Sequence, residues 1–276
     1  MTAQKLSFSL VGPGRLGMNL AHELINNGFI ARTIISKTDK SIRKAKSILS
    51  AEQFSTGIED LTDPGDILFI SVPDDSIKDV VKEIFLKVPN LSRTACLHFS
   101  GVNSSRLLRS LEEKGAFIGS LHPLYSFPGE IEPIPPGILF TYEGGEAAGT
   151  IAEKVVSTLN GRILNIDSGQ KPLYHLAAVL SGNMGLTLSS IAAGIINEVL
   201  GPDPQEYRKE ISIYLQSVLK NIRENSWADA LTGPVKRGDQ KTLDKHMDAL
   251  EKAGRTDIKD LYEKLIELTK NMLDQK

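Results

Sequence analysis

Apolar and polar positions follow two different rhythms along this chain. Residues 6–11 (LSFSLV) form an apolar run that predicts a buried strand, and a helix follows with apolar positions at Leu16, Leu20, Ala21 and Leu24. Asn26-Asn27-Gly28 stops that helix, and residues 31–36 (ARTIIS) read as a second strand. Residues 54–56 suit a short third strand. Residues 66–72 (DILFISV) are apolar almost throughout, as in a strand covered on both faces. Pro73 and Asp74-Asp75 break the run before a helical pattern over 77–85. A strand at 94–99, a helix at 104–114, strands at 117–121 and 138–142, a helix at 147–159 and a strand at 162–166 continue the alternation. Strands alternating with helices at these lengths predict an α/β Rossmann domain, a doubly wound parallel sheet, over residues 1–166.

From Gln170 the pattern is helical only, which predicts an all-α domain over residues 167–276. Residues 171–200 form one long helix or two broken near Gly182–Gly185. Helical stripes follow at Tyr207, Ile211, Leu215, Val218 and Ile222, and at Ile258, Leu261, Leu265, Leu268 and Met272. Residues 230–239 (ALTGPVKRGD) read as a helix-breaking loop; its Arg237-Gly238-Asp239 matches an adhesion tripeptide by chance. Residues 176–196 are uncharged and of membrane-spanning length, but Ser181, Gly182, Asn183, Gly185, Thr187, Ser189, Ser190 and Gly194 make a buried helix of a soluble domain the expected form. A face of small residues, including Ala177, Ala178, Ser181, Gly185, Ser189 and Ala192, points to the centre of a larger bundle, hence a homodimer.

The first turn carries the chemistry. Gly12, Gly14 and Gly17 have G-x-G-x-x-G spacing between a strand and a helix, the arrangement that makes a tight turn, admits a pyrophosphate and packs helix on strand. With Arg15 and Leu16 at the helix start, they are the expected pyrophosphate site of a dinucleotide. An NAD-preferring protein places an acid at the end of the second strand, whereas Ser36-Lys37-Thr38 offers hydroxyls and a cation that suit the 2′-phosphate of NADP. Asp39 is the acid in reach; it is expected to cap the next helix, with ribose binding as its other role. Proline-rich residues 123–137 are either a stiff connector or a cover over the cofactor cleft.

Composition narrows the setting. With 32 basic and 34 acidic residues, nothing advertises nucleic acid or an anionic membrane as a partner. The single Cys96 excludes an intramolecular disulfide and reads as a small buried hydrophobe. The polar start is unlike a signal peptide, so a cytoplasmic location is expected. The five histidines show no metal-ligand spacing, so no metal is expected.

VGPGRLG, SVPDDSI, HFSG, LHPLYSF, YHLAAVLSGN and LTGPVKRGD together resemble an uncharacterised family of Rossmann-like proteins whose helical C-terminal half is a domain of unknown function. The glycine turn and the VPD turn are shared with a wider group: pyrroline-5-carboxylate reductases, prephenate dehydrogenases, ketopantoate reductases and β-hydroxyacid dehydrogenases. The resemblance implies that Val72, Pro73 and Asp74 lie along the cofactor and that the helical domain closes the substrate site. The β-hydroxyacid dehydrogenases have a catalytic Lys four residues before an Asn; here Lys171 is followed at that spacing by His175. The Ser-Pro-Gly-Gly-Thr-Thr loop of the pyrroline-carboxylate reductases is absent, so no substrate carries over.

Ligands bind such sheets at the carboxyl ends of the strands, which places Ser100 at the cofactor and His122 near a small-molecule substrate. His175 and Asn183, two turns apart on the long helix, are the other candidates; His175 is the preferred proton donor and Asn183 the orienting group. His98, inside a strand pattern, is expected to be structural. Two functions fit: an NADP-dependent oxidoreductase moving hydride between nicotinamide and a small carbonyl or imine, and a catalytically silent dinucleotide-binding protein that senses redox cofactor or acts through a partner.

Overall fold

All five residues of Ser7–Val11, the first strand β1, are buried, which explains why the apolar run there is unbroken: β1 lies inside the sheet, covered on both faces. The computed structural model describes residues 5–203 and 205–274. After β1 come α1 (Arg15–Asn26), β2 (Ile30–Ile35), α2 (Asp39–Lys46), β3 (Gln53–Ser55), β4 (Ile67–Ile70), α3 (Asp74–Lys87), β5 (Ala95–His98), a 3₁₀ helix (Ser105–Lys114), β6 (Phe117–Pro123), β7 (Leu139–Gly144), α4 (Glu146–Thr158) and β8 (Arg162–Asn165). The sheet order is β3-β2-β1-β4-β5-β6-β7-β8. The order reverses between β1 and β4, which opens a crevice at their carboxyl ends.

Period-two alternation along β4 divides the core. Ile67 and Phe69 join Phe8, Leu10, Leu97 and the inner faces of α1 and α4. Leu68 and Ile70 join Val11, Cys96 and the α3 residues Ile77, Val80, Val81 and Ile84. Cys96 is the small buried hydrophobe its context predicts, with burial pushing its thiol pKa up.

Several expectations need correction. The sheet is not parallel throughout: β7 runs antiparallel to β6, although β8 is parallel to β7. The cause is the proline-rich link, which holds no crossover helix to carry the chain back across the sheet. It packs along α1 instead: Asn19 donates to the carbonyls of Pro128 and Glu130 (both 3.4 Å) and accepts from Glu132 N–H (3.2 Å). The helix expected at 104–114 is present as a 3₁₀ helix over Ser105–Lys114, its buried positions, Ser105, Leu108 and Leu111, recurring every three residues. Thr38, not Asp39, caps α2, its hydroxyl accepting from Ser41 N–H at 3.2 Å.

Another correction concerns the long helix. α5 (Lys171–Val179), a π-helical turn (Leu180–Met184) and α6 (Gly185–Leu200) form one continuous helix of 30 residues, long and apolar enough to cross a membrane. It is not buried in this chain: Leu173 and Leu186 are each 73% exposed and Val199 75%. Among the described residues five helices follow: α7 (Arg208–Glu224), α8 (Trp227–Ala230), α9 (Pro234–Arg237), α10 (Gln240–Lys252) and α11 (Thr256–Asp274). The stretch read as a loop therefore contains the short α9 and the end of α8. The Arg-Gly-Asp tripeptide serves the fold. Gly238 (φ +65°) ends α9, and Asp239 caps α10 by accepting from Thr242 N–H at 3.2 Å and Thr242 Oγ1 at 2.7 Å. The chain divides into two compact units, Met1–Gly185 and Leu186–Lys276, with the division inside the long helix at the end of its π turn.

Candidate functional site

At the switch point lies a cleft of about 530 Å³, within the range of cofactor pockets. Gly12, Pro13 and Gly14 form one wall, Ser36, Lys37, Ser41 and Thr56 line it near β2 and β3, and Ser71, Val72, Pro73, Ser76 and Val80 line it from β4 and α3. Gly12 has φ +91°, and a Cβ there would lie 2.5 Å from the Ser71 carbonyl oxygen. Gly17 is a packing position, its missing Cβ only 2.7 Å from Gly12 O. Gly14 differs: it sits before α1 in extended conformation (φ −76°), and a Cβ would meet nothing within 4 Å. Glycine is thus unforced at position 14 by the protein's own atoms. An open approach beside the free N–H groups of a helix start fits a dinucleotide pyrophosphate.

A second group of side chains gathers at the carboxyl ends of β5 and β6 and the start of α5. His122 Nδ1 is 3.1 Å from the Tyr174 hydroxyl, and the His122 ring meets that of His175 edge-on, with centroids 5.8 Å apart at 83°. Both imidazoles lie over Gly101, where a Cβ would come within 2.5 Å of His175 Cδ2 and 2.8 Å of His122 Nε2. Burial, then the neighbouring His175 and Lys171, push His122 down to about 4, so it is neutral at physiological pH. Lys171, fully buried, donates to the Ser100 carbonyl (3.0 Å) and to Ser120 Oγ (2.8 Å). Burial lowers its pKa, opposed by the charges of Glu143 and Asp74.

The two groups adjoin. Pro73 lines the cleft, and the next residue, Asp74, accepts from Ser100 Oγ at 2.9 Å, one residue before Gly101. Of the residues expected at the cofactor, Gly12, Gly14, Ser36, Lys37, Val72 and Pro73 line the cleft. Arg15 is exposed beside Gly129 at the start of α1, and Leu16 packs on the core. Thr38 is engaged as a cap, and the Ser100 hydroxyl is engaged by Asp74 and by Asn103 N–H at 3.0 Å. His122 and His175 come together; Asn183 is exposed in the π turn. Nothing local in the sequence singles out Tyr174, Gly101 or the burial of Lys171. The one signal is longer in range: Lys171, Tyr174 and His175 stand at i, i+3 and i+4, the spacing of one helix face.

His98 is structural. Its Nδ1 accepts from Ser100 N–H (3.1 Å), which leaves Nε2 to donate to the Ser104 carbonyl (3.1 Å). Burial, with the Lys171 charge adding to it, lowers His98 to about 4. The unfolded chain takes up this proton near pH 6.5 and the folded chain only near 4. Stability is therefore full above about pH 6.5 and is lost as pH falls toward 4. Between about pH 7.5 and about pH 5 the loss from His98 is about 2 kcal/mol. Urea midpoints across this range should fall with pH in the wild type and less steeply in His98→Gln; equal slopes would refute the assignment.

No curated protein matches the chain by sequence. Several solved structures share its architecture. Protein TM1727 from Thermotoga maritima is 27% identical, with a TM-score of 0.74 over 97% of this chain and 98% of that one. BF3122 from Bacteroides fragilis, provisionally described as an NADP oxidoreductase, is 22% identical, with a TM-score of 0.78 over 97% and 98%. A reductive aminase from Aspergillus terreus, in complex with NADPH and ethyl levulinate, is 17% identical, with a TM-score of 0.66 over 98% and 99%. Residues 1–123 match the model of a Rossmann-like domain, and residues 138–269 match that of a domain of unknown function (DUF2520).

Proposed function

We propose that this protein is an NADP-dependent oxidoreductase acting on a small carbonyl or imine substrate at the carboxyl ends of β5 and β6. The observation that carries the reading is adjacency: the glycine-walled cleft and the imidazole pair over Gly101 meet through the contact of Asp74 with Ser100. Bound NADPH would supply the hydride. Gly14 leaves room for the pyrophosphate, and Lys37, exposed at the rim with Ser36, Ser41 and Thr56, suits the 2′-phosphate. His122, neutral and tied to Tyr174, shapes the site, and His175 delivers the proton that carbonyl or imine reduction needs. Asn183, in a π turn of the kind often found at functional sites, orients the substrate. The structural neighbours described with NADPH or as NADP oxidoreductases support the same cofactor class.

NADPH should bind more tightly than NADH. A charge-assisted contact contributes about 1.5–3 kcal/mol, so Lys37→Ala should weaken NADPH about tenfold or more and leave NADH unchanged. Equal affinity of the wild type for both cofactors would refute the NADP assignment and return Asp39 as a ribose ligand. NADPH oxidation against cyclic imines, aldehydes and 2-oxo acids tests the activity. Tight binding with no turnover on any class would favour the silent sensor.

The exposed apolar residues of the long helix require a cover. We propose that a second copy of this chain supplies it, in a cytoplasmic homodimer, since Leu173, Leu176, Leu186, Leu188, Val199 and Leu200 are all exposed along one helix, and exposed apolar surface of this kind marks an interaction site. Light scattering at micromolar concentration should return twice the 30.1 kDa chain mass. A monomeric mass would overturn this.

A further inference from the structure

We propose that Lys171 is a positioning residue: its buried amine sets the register of α5 against the ends of β5 and β6 and so holds His175 and Tyr174 on Gly101 and His122. The inference rests on reading the imidazole pair as the proton-delivering part of the reductase. A fully buried lysine is costly to the fold, and an apolar side chain would fill its place at less expense. The positions of its hydrogen bonds suggest what it does there. Lys171 is the first residue of α5, and its amine bonds the Ser100 carbonyl after β5 (3.0 Å) and Ser120 Oγ on β6 (2.8 Å). Ser120 Oγ in turn donates to the same Ser100 carbonyl (3.2 Å), which closes a triangle between two strand ends and one helix start.

One helical turn onward the same partners recur, slightly displaced. His175, four residues after Lys171, packs on Gly101, one residue after Ser100. Tyr174, three residues after Lys171, meets His122, two residues after Ser120. Each contact of the lysine thus has a counterpart among the imidazole contacts, on the same helix and the same strand end. A rotation or slide of α5 that broke the first set would break the second, since a helix moves as a rigid body over so short a span. Lys171 does not line the dinucleotide cleft, so the effect should stay local.

The test is histidine-ring NMR on the full-length protein, with no substrate, for Lys171→Met and Ser120→Ala. In Lys171→Met the through-space contacts between the His122 and His175 rings should be lost. NADPH affinity should be unchanged. Where a substrate is in hand, turnover should fall about a hundredfold, as for a displacement of about 1 Å at a reacting group. Ser120→Ala removes one of the two hydrogen bonds and keeps the amine, so it should shift the same ring signals by less. Wild-type ring contacts in Lys171→Met would overturn the inference; should that variant not fold, unshifted rings in Ser120→Ala would do so. Because the rings are observed without substrate, displaced rings in a protein with no reductase activity would support the positioning role while refuting the reaction.

Discussion

Gly14→Val should abolish NADPH binding while leaving the fold intact. Gly14 lies in extended backbone that any residue adopts, and its side-chain direction meets no protein atom within 4 Å. Valine is therefore tolerated by the chain itself, and its methyl groups occupy the approach that a pyrophosphate needs beside the N-terminus of α1. Gly12 is the instructive contrast. Any side chain there costs about 1–2 kcal/mol for the left-handed backbone and also strikes the Ser71 carbonyl, so a Gly12 variant confuses lost stability with lost affinity. Calorimetric titration with NADPH, beside a thermal melt of each variant, separates the two. A Gly14→Val protein that melts near the wild type and binds nothing supports the assignment. Unchanged affinity would mean that the dinucleotide, if bound, does not use this turn.

Legibility followed the length scale of the interactions. The β1 turn and the β4 run could be read from residues alone, because a strand covered on both faces is apolar throughout and the glycine spacing is local. The direction of β7 could not, since it depends on where the chain re-enters the sheet after the proline-rich link. α10 is hard to read from residues, because its apolar positions are sparse among charges and its start is set by Asp239, at the end of a Gly- and Pro-containing stretch. At the site the individual histidines could be named, but not the neutral state of His122, which comes from burial and from His175 and Lys171 nearby. The role of Lys171 was hidden for the same reason: its partners lie 71 and 51 residues away.

Turnover should fall by about 10²–10⁴ in His175→Asn, with NADPH affinity intact. Reduction of a carbonyl or imine needs a proton at the heteroatom as hydride arrives at carbon, and an imidazole can deliver one near neutrality. His122 is poorly placed to do so: burial, with His175 and Lys171 beside it, holds it near 4, so it carries no imidazolium proton at pH 7. Its Nδ1 is also engaged with the Tyr174 hydroxyl. His175 stands against the same glycine on a helix face, with its ring edge-on to His122. Asparagine keeps much of the polarity and lacks the titrating group, so the substitution separates proton delivery from packing. The assay is steady-state NADPH oxidation with the best substrate found, for His175→Asn and His122→Asn in parallel. Full turnover in the first with loss in the second would reverse the two roles. Full turnover in both would remove the imidazole pair from the reaction, and the proton would then have to come from another group or from water.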